Sequence, residues 1–182
     1  MIAVWIVLAI VVLVAVWVIA MYNGLITRKN RVEEASSDID VQLKRRYELI
    51  PNLVNTVKGY AAHESGVFEK VTELRAGLMT GSTADRVATS NQLTETLKSL
   101  FAVAENYPDL KANQNFLSLQ ADLTDTQDKI MASQRFYNAN VRDFNTAIQV
   151  FPTNLIANSL GFTKFDFIEA TAAETQNVNV QF

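Results

Sequence analysis

DLKANQNFLSLQADLTDTQDKIMASQRFYNANVRDFNTAIQVF, residues 109–151, is the stretch that decides the fold. Its large apolar residues Phe116, Leu123, Ile130, Tyr137, Phe144 and Phe151 recur every seven positions. An apolar repeat of that period, held over five intervals, marks a long helix packed along a coiled-coil-like seam. A helix over about Asp109 to Val150 is therefore expected. Pro108 opens it from the first-turn position, where its missing N–H leaves nothing unpaired. Four residues beyond successive seam positions stand Gln120, Gln127, Gln134, Val141 and Ile148. The three glutamines read as amides at the seam's edge, or as hydrogen bonds across helices that fix register. A polar groove for a ligand or partner is the alternative. Phe116, Gln120, Leu123, Gln127, Ile130, Gln134 and Tyr137 form the candidate packing and assembly seam.

Working outward, the partners of this helix are also helical. Val32, Ala35, Ile39, Leu43, Tyr47 and Ile50 make one apolar stripe, and Leu53, Val54, Val57, Tyr60, Val67, Phe68, Val71, Leu74 and Leu78 continue it. Pro51 lacks an N–H and disfavours helix at Ile50, so a kink or short break is expected there. Thr80-Gly81-Ser82 is turn chemistry, and Ser82 to Asp85 has the Ser-x-x-Asp form of a capping box. A shorter helix should follow to about Asn106, with Val87, Leu93, Leu97, Leu100, Val103 and Ala104 inward. After Pro152 the chain is irregular and rich in large apolar residues. Val178, Val180 and Phe182 alternate towards the last residue, as an extended segment does. These three are expected to dock into a groove of the same bundle, with a neighbouring subunit or a partner's sheet as the alternative.

The other end has a different character. Ile2 to Tyr22 carries no charged side chain, and as a helix it spans about 31 Å, the thickness of a hydrocarbon core. Trp5 near one end, with Trp17 and Tyr22 towards the other, stands where interfacial aromatic anchors stand. A cleaved signal would have a basic start and a shorter apolar run, so the segment reads as a retained anchor. Arg28, Lys29 and Arg31 follow directly, and the positive-inside rule puts the domain in the cytoplasm and the N-terminus outside. They set topology, and a sharper reading adds contact with anionic headgroups. A second basic run, Lys44-Arg45-Arg46, lies too far along the helix to reach lipid, so a solvated face or pairing inside the bundle is expected.

The whole chain has 182 residues, with 16 basic and 19 acidic side chains, one His and no Cys. Every one of those charges lies beyond the apolar run, so a lipid-compatible segment is joined to a domain of ordinary composition. That excludes a soluble cytosolic enzyme, a multi-pass transporter, a disulfide scaffold and a disordered tail. A formal net charge of −3 argues against nucleic acid as a partner. Three domains follow: a transmembrane anchor over 1–23, a long-helix bundle over 24–151, and a short helix with an extended tail over 152–182. The fold class is all-α. The transmembrane helix continues into an elongated antiparallel bundle of about four long helices, with an irregular apolar C-terminal tail.

Catalytic chemistry has little to stand on. With His63 alone and no Cys, zinc sites built on Cys and His, paired-His haem ligation and thiol catalysis are excluded or unsupported. There is no Gly-x-Ser-x-Gly elbow and no phosphate-binding glycine loop. No catalytic, cofactor-binding or metal-binding residues are assigned, and no small-molecule substrate is expected.

Two blocks carry a resemblance. The first runs from Arg31-Val32-Glu33-Glu34-Ala35 through Asp38-Ile39-Asp40-Val41-Gln42-Leu43-Lys44-Arg45-Arg46 to Leu49-Ile50-Pro51-Asn52-Leu53-Val54 and Val57-Lys58-Gly59-Tyr60-Ala61. The second runs from Glu105-Asn106-Tyr107-Pro108 through Lys111-Ala112-Asn113-Gln114-Asn115-Phe116-Leu117 to Arg135-Phe136-Tyr137-Asn138, Asn145-Thr146-Ala147-Ile148 and Phe151-Pro152. In this order, and over most of residues 22 to 170, the chain resembles the LemA family. It departs at Ser36, where an aromatic residue is common. The resemblance implies a bacterial membrane-anchored bundle of long helices without enzymatic activity, in the inner or plasma membrane. Some members resemble lipoproteins anchored through a Cys, which this chain lacks, so the family leaves topology open.

The function expected is a non-enzymatic scaffold on a membrane anchor that self-associates laterally and organises or bends the bilayer. The alternative is an adaptor that presents a membrane-proximal surface to an envelope protease or other quality-control partner. A hydrolase built on His63 is rejected.

Overall fold

The computed structural model describes residues 1–61 and 64–169. Six helices account for its regular structure: α1 Ile2–Lys58, α2 Ser65–Gly77, α3 Thr83–Ala104, α4 Pro108–Lys111, α5 Gln114–Ala147 and α6 Thr153–Ser159. No strand occurs among the described residues. The protein is all-α, with a long apolar helix at its N-terminus.

The described residues fall into two compact units, one of 1–35 with 135–167 and one of 36–134 with 168 and 169. In the first, residues 1–20 of α1 are exposed throughout, and burial begins at Leu25. Leu25, Val32 and Ala35 are buried on α1, Tyr137, Val141 and Phe144 are buried on α5, and Ile148 is buried just past its end. Both sets follow helical spacing, so each helix hides one stripe. In the second unit, α2 and α3 pack as a hairpin across the Thr80–Ser82 turn. Gly81 takes φ +87° there, a left-handed conformation that favours glycine. Ser82 then caps α3. Its hydroxyl accepts from the Asp85 N–H, and the Asp85 carboxylate accepts from the Ser82 N–H, completing the expected capping box. The Ser82 hydroxyl and N–H, as donors, hold the Asp85 carboxyl below the usual carboxylate range.

Three local expectations change. Helix α1 passes through Pro51 without a break and ends at Lys58. The chain turns at Gly59 and Tyr60 instead, with the Tyr60 and Ala61 N–H groups returning to the Val57 carbonyl. The helix expected from Asp109 begins at Gln114. Pro108 opens only the single turn α4, and Asn113 interrupts, its Oδ1 accepting from the N–H groups of Asn115 and Phe116. At the far end α5 stops at Ala147, and Phe151 is 79% exposed, so the seven-residue repeat loses its last member. The repeat counts positions, but a residue beyond the helix end no longer faces the seam.

Candidate functional site

Five of the seam residues, Phe116, Leu123, Ile130, Tyr137 and Gln134, are buried along α5; Gln120 and Gln127 are half-buried. Phe116 meets Phe101 edge-on, with ring centroids 6.0 Å apart. The glutamines have different fates. The Nε2 of Gln134 is buried without a hydrogen-bond partner. Gln127 stands at the centre of a polar network that joins three helices.

Arg46 on α1 is the side chain that network surrounds. It is 1% exposed. Its Nη1 donates to the Ser90 carbonyl at 3.1 Å, to the Ser90 hydroxyl at 2.6 Å and to Oε1 of Gln127. Its Nη2 donates to the Thr94 hydroxyl at 2.9 Å, and that hydroxyl lies 3.0 Å from the same Gln127 oxygen. These acceptors are all neutral, and Nε is buried with no partner. Burial pushes the guanidinium down to about 10. A cavity of about 240 Å³ adjoins the network, with Gln120, Gln127 and Asp128 among its lining.

The sequence reading put Tyr47 in the core stripe, but Arg46 holds that place. Leu43 and Ile50 are joined by three-and-four spacing through either residue, but Val32, Ile39, Arg46 and Leu53 recur every seven positions and are all buried, and that recurrence was the available signal. Tyr47 is half-buried at its edge. Ser90 and Thr94, four apart on α3, were not singled out. Arg45 pairs with Asp122 at 3.4 Å and with Asp125 at 3.0 Å, which is the pairing inside the bundle expected of the second basic run. The Lys129 ammonium, hydrogen-bonded to Asp125, holds that carboxyl below its usual range, and the charge of Arg45 adds to the effect. Ser36, the departure from the family pattern, lies 3.0 Å from the Thr83 hydroxyl at the start of α3.

Within the first unit, Trp5 and Trp17 stand exposed on the apolar run at 70% and 46%. The ring of Tyr22 meets that of Phe162 at 6.4 Å. Arg28 is exposed, Lys29 is half-buried and pairs with Glu33 at 3.5 Å, and Arg31 is exposed. Past α6 the chain returns to α5. The Asn145 amide donates to the Phe165 carbonyl at 2.8 Å and accepts from the Phe165 N–H at 3.0 Å. The Tyr137 hydroxyl donates to the Asp166 carbonyl at 3.2 Å. Burial, then the charge of Asp166, raises the Tyr137 phenol. Asn145 was not singled out as a site residue in the sequence. Val178, Val180, Phe182 and His63 lie outside the described residues.

Among the described residues no group of three His, Cys, Asp or Glu side chains could hold a metal ion. The polar network offers hydrogen bonds between helices, and its cation is spent on them. That chemistry fixes which helix faces which; it does not activate a nucleophile.

The family model of the LemA family matches residues 35–182. The chain is 28% identical over 159 residues to "Protein LemA" of Metamycoplasma hominis, covering 86% of this chain and 73% of that protein. It is 24% identical over 188 residues to "Magnetosome protein MamQ" of Magnetospirillum gryphiswaldense, covering 88% and 69%. "Magnetosome protein MamQ 2" of Paramagnetospirillum magneticum matches to the same extent.

Proposed function

From the premise that the chain belongs to the LemA family, we propose a non-enzymatic, membrane-anchored scaffold that self-associates laterally and organises the bilayer around it. One observation carries this reading. In α1 the exposed apolar run of residues 1–20 passes into the domain's own buried stripe, which starts at Leu25, without leaving the helix. Such a run left in water would be strongly unfavourable, at roughly 25 cal/mol per Å² of apolar surface. In lipid it is at home, and the packing helix is then fixed to the bilayer with no flexible linker between them. The names of the relatives are not those of enzymes, which supports a structural role. Exposed Val41, Leu117 and Phe136 on α1 and α5 supply apolar surface for lateral contacts. Among the seam glutamines Gln127, with Arg46, supplies the register of an antiparallel bundle.

The basic cluster Arg28, Lys29 and Arg31 supports a domain on the cytoplasmic side of a single span. A reporter active only outside the cytoplasm, fused after Phe182, should stay silent; activity reverses the topology. Mass photometry of detergent-purified protein over a range of concentrations tests the scaffold. Species larger than one chain are expected, and a monomer at every concentration overturns the proposal. Crosslinking in cells separates it from the adaptor. Homotypic adducts are expected of a scaffold, and one dominant heterotypic adduct points to an envelope partner.

A further inference from the structure

The apolar run of α1 is not the only part of the first unit suited to lipid. From Phe144 to Thr163 the chain carries no charged side chain, the longest such stretch after the N-terminal run. Much of its apolar surface faces outward. Val150 is 47% exposed, Phe151 79%, Leu155 63% and Leu160 53%. These residues lie at the corner that leaves α5 and along α6. Hydrophobic side chains of that size are stabilised by leaving water, so water is a poor final environment for four of them together.

Their position says what covers them. Helix α6 ends in a Schellman motif: the Phe162 N–H returns to the Ala157 carbonyl and the Gly161 N–H to that of Asn158, with Gly161 at φ +73°. The turn throws Phe162 back onto Phe144 of α5, 6.2 Å away, and onto Tyr22 of α1, 6.4 Å away. Tyr22 closes the apolar run. So α6 is held beside the end of the apolar run, which the anchor reading puts at the height of the headgroups.

We propose that the α5–α6 corner and α6 form a second membrane contact. Phe151 and Leu155, flanked by Val150 and Leu160, enter the interface of the leaflet from which α1 emerges, while the exposed Asn158 remains among the headgroups. The occupant is the bilayer itself, because the patch is continuous with the anchor through Phe162 and Tyr22. The shape of the contact is that of an interfacial apolar face, which sinks about 5–10 Å below the headgroups. The inference rests on reading α1 as a membrane anchor.

The chain has no Cys, so single labels are simple to place. Phe151→Cys, Leu155→Cys, Val11→Cys and Ser99→Cys are made in the full chain. Each is labelled with an environment-sensitive fluorophore and reconstituted in phosphatidylethanolamine–phosphatidylglycerol vesicles with nitroxide lipids. At 151 and 155, a nitroxide near the headgroup should remove roughly half of the emission, as the shallow depth allows. Val11 should respond to a deep acyl nitroxide, and the exposed polar Ser99 serves as the water-facing reference that responds to neither. If 151 and 155 behave like Ser99 while Val11 is quenched, the second contact is absent and the anchor stands. If they resist both lipid nitroxide and aqueous iodide, a second copy covers them and the proposal is lost. If Val11 also escapes quenching, anchor and second contact fall together.

Discussion

The backbone carbonyl of Tyr47 accepts a hydrogen bond of 3.0 Å from Nε of Arg75, whose guanidinium carbon lies 3.7 Å from the centroid of the Tyr47 ring. In an α-helix that carbonyl belongs to the N–H four residues on, and there the chain has Pro51. Arg75 of α2 thus supplies the donor that proline removes from α1. This is why the helix runs on where a break was expected.

Arg75→Ala should lower stability by about 1–3 kcal/mol, from a stranded carbonyl and a lost cation–π contact. Pro51→Ala restores the helical N–H. In that background the same Arg75→Ala change should cost only about 0.5–1 kcal/mol, the stacking contribution alone. Urea unfolding of the four chains in one detergent reads the coupling. Equal penalties in both backgrounds would show that Arg75 does not replace the missing donor.

Arg46 should be the most sensitive polar position in the second unit. Arg46→Ala strands neutral acceptors on Ser90, Thr94 and Gln127 and leaves a void, and a loss of about 1–3 kcal/mol is expected. Arg46→Met keeps the volume without the charge and should cost less. The two forms also differ in pH dependence. Burial puts the folded guanidinium at about 10, below its unfolded value. Below about pH 10 both states hold the proton, and folding bears the full desolvation penalty. As pH rises above that, the folded state releases its proton first, so stability relative to Arg46→Met should rise. Unfolding midpoints of the two chains between about pH 7 and pH 11 test the sign; a falling difference contradicts it.

At the end of α2, a Cβ on Gly77 would meet Cγ2 of Thr89 at 2.9 Å. Thr89 is β-branched, and its hydroxyl donates to the Asp85 carbonyl at 3.0 Å, so it has little freedom to turn away. Gly77→Ala should therefore destabilise the α2–α3 hairpin by about 1–3 kcal/mol, the range for overpacking. Thr89→Ser removes the methyl and should recover most of it. Thermal melts that show Gly77→Ala stabilising, as helix propensity alone predicts, would mean the two helices separate to accommodate it.

Asn145 holds the Phe165 peptide from both sides, as donor and as acceptor. Asn145→Ala should free that segment and cost about 1–3 kcal/mol for the polar groups left unpaired. Hydrogen exchange is the sharper readout. The Phe165 amide should lose protection while amides of α3 keep theirs. Uniform loss across the chain would indicate that Asn145 supports the whole fold instead of this strap. Asn145→Asp, which keeps the acceptor and loses the donor, should be intermediate in local protection.

The seven-residue repeat of α5, the stripe of α1 and the capping box at Ser82 were all legible, because each depends on spacing along one helix. So was the apolar run, since what crosses a membrane is set by composition and length. The resemblance carried by residues 31–61 and 105–152 pointed to the family that the comparisons establish. Arg46 was misplaced because residue type and local three-and-four spacing both admitted Tyr47, while only the seven-residue recurrence through Val32, Ile39 and Leu53 pointed to Arg46. Only the acceptors on α3 and α5 make a buried guanidinium tolerable, and those acceptors lie far away in sequence.

Local chemistry also misjudged Pro51 and Asn113. A proline breaks a helix unless another group replaces its donor, and Arg75 does so from 28 residues further along. An asparagine passes as an ordinary helical residue until its side chain takes the N–H groups of Asn115 and Phe116. The sequence by itself determined the helices, their buried faces and the membrane-compatible root, because periodicity and hydropathy are properties of the chain alone. The partner of each stranded polar group, and the return of Phe162 to Tyr22, were decided only by tertiary structure. Hydrogen bonds and ring contacts between distant residues depend on which helices come together, and no spacing encodes that.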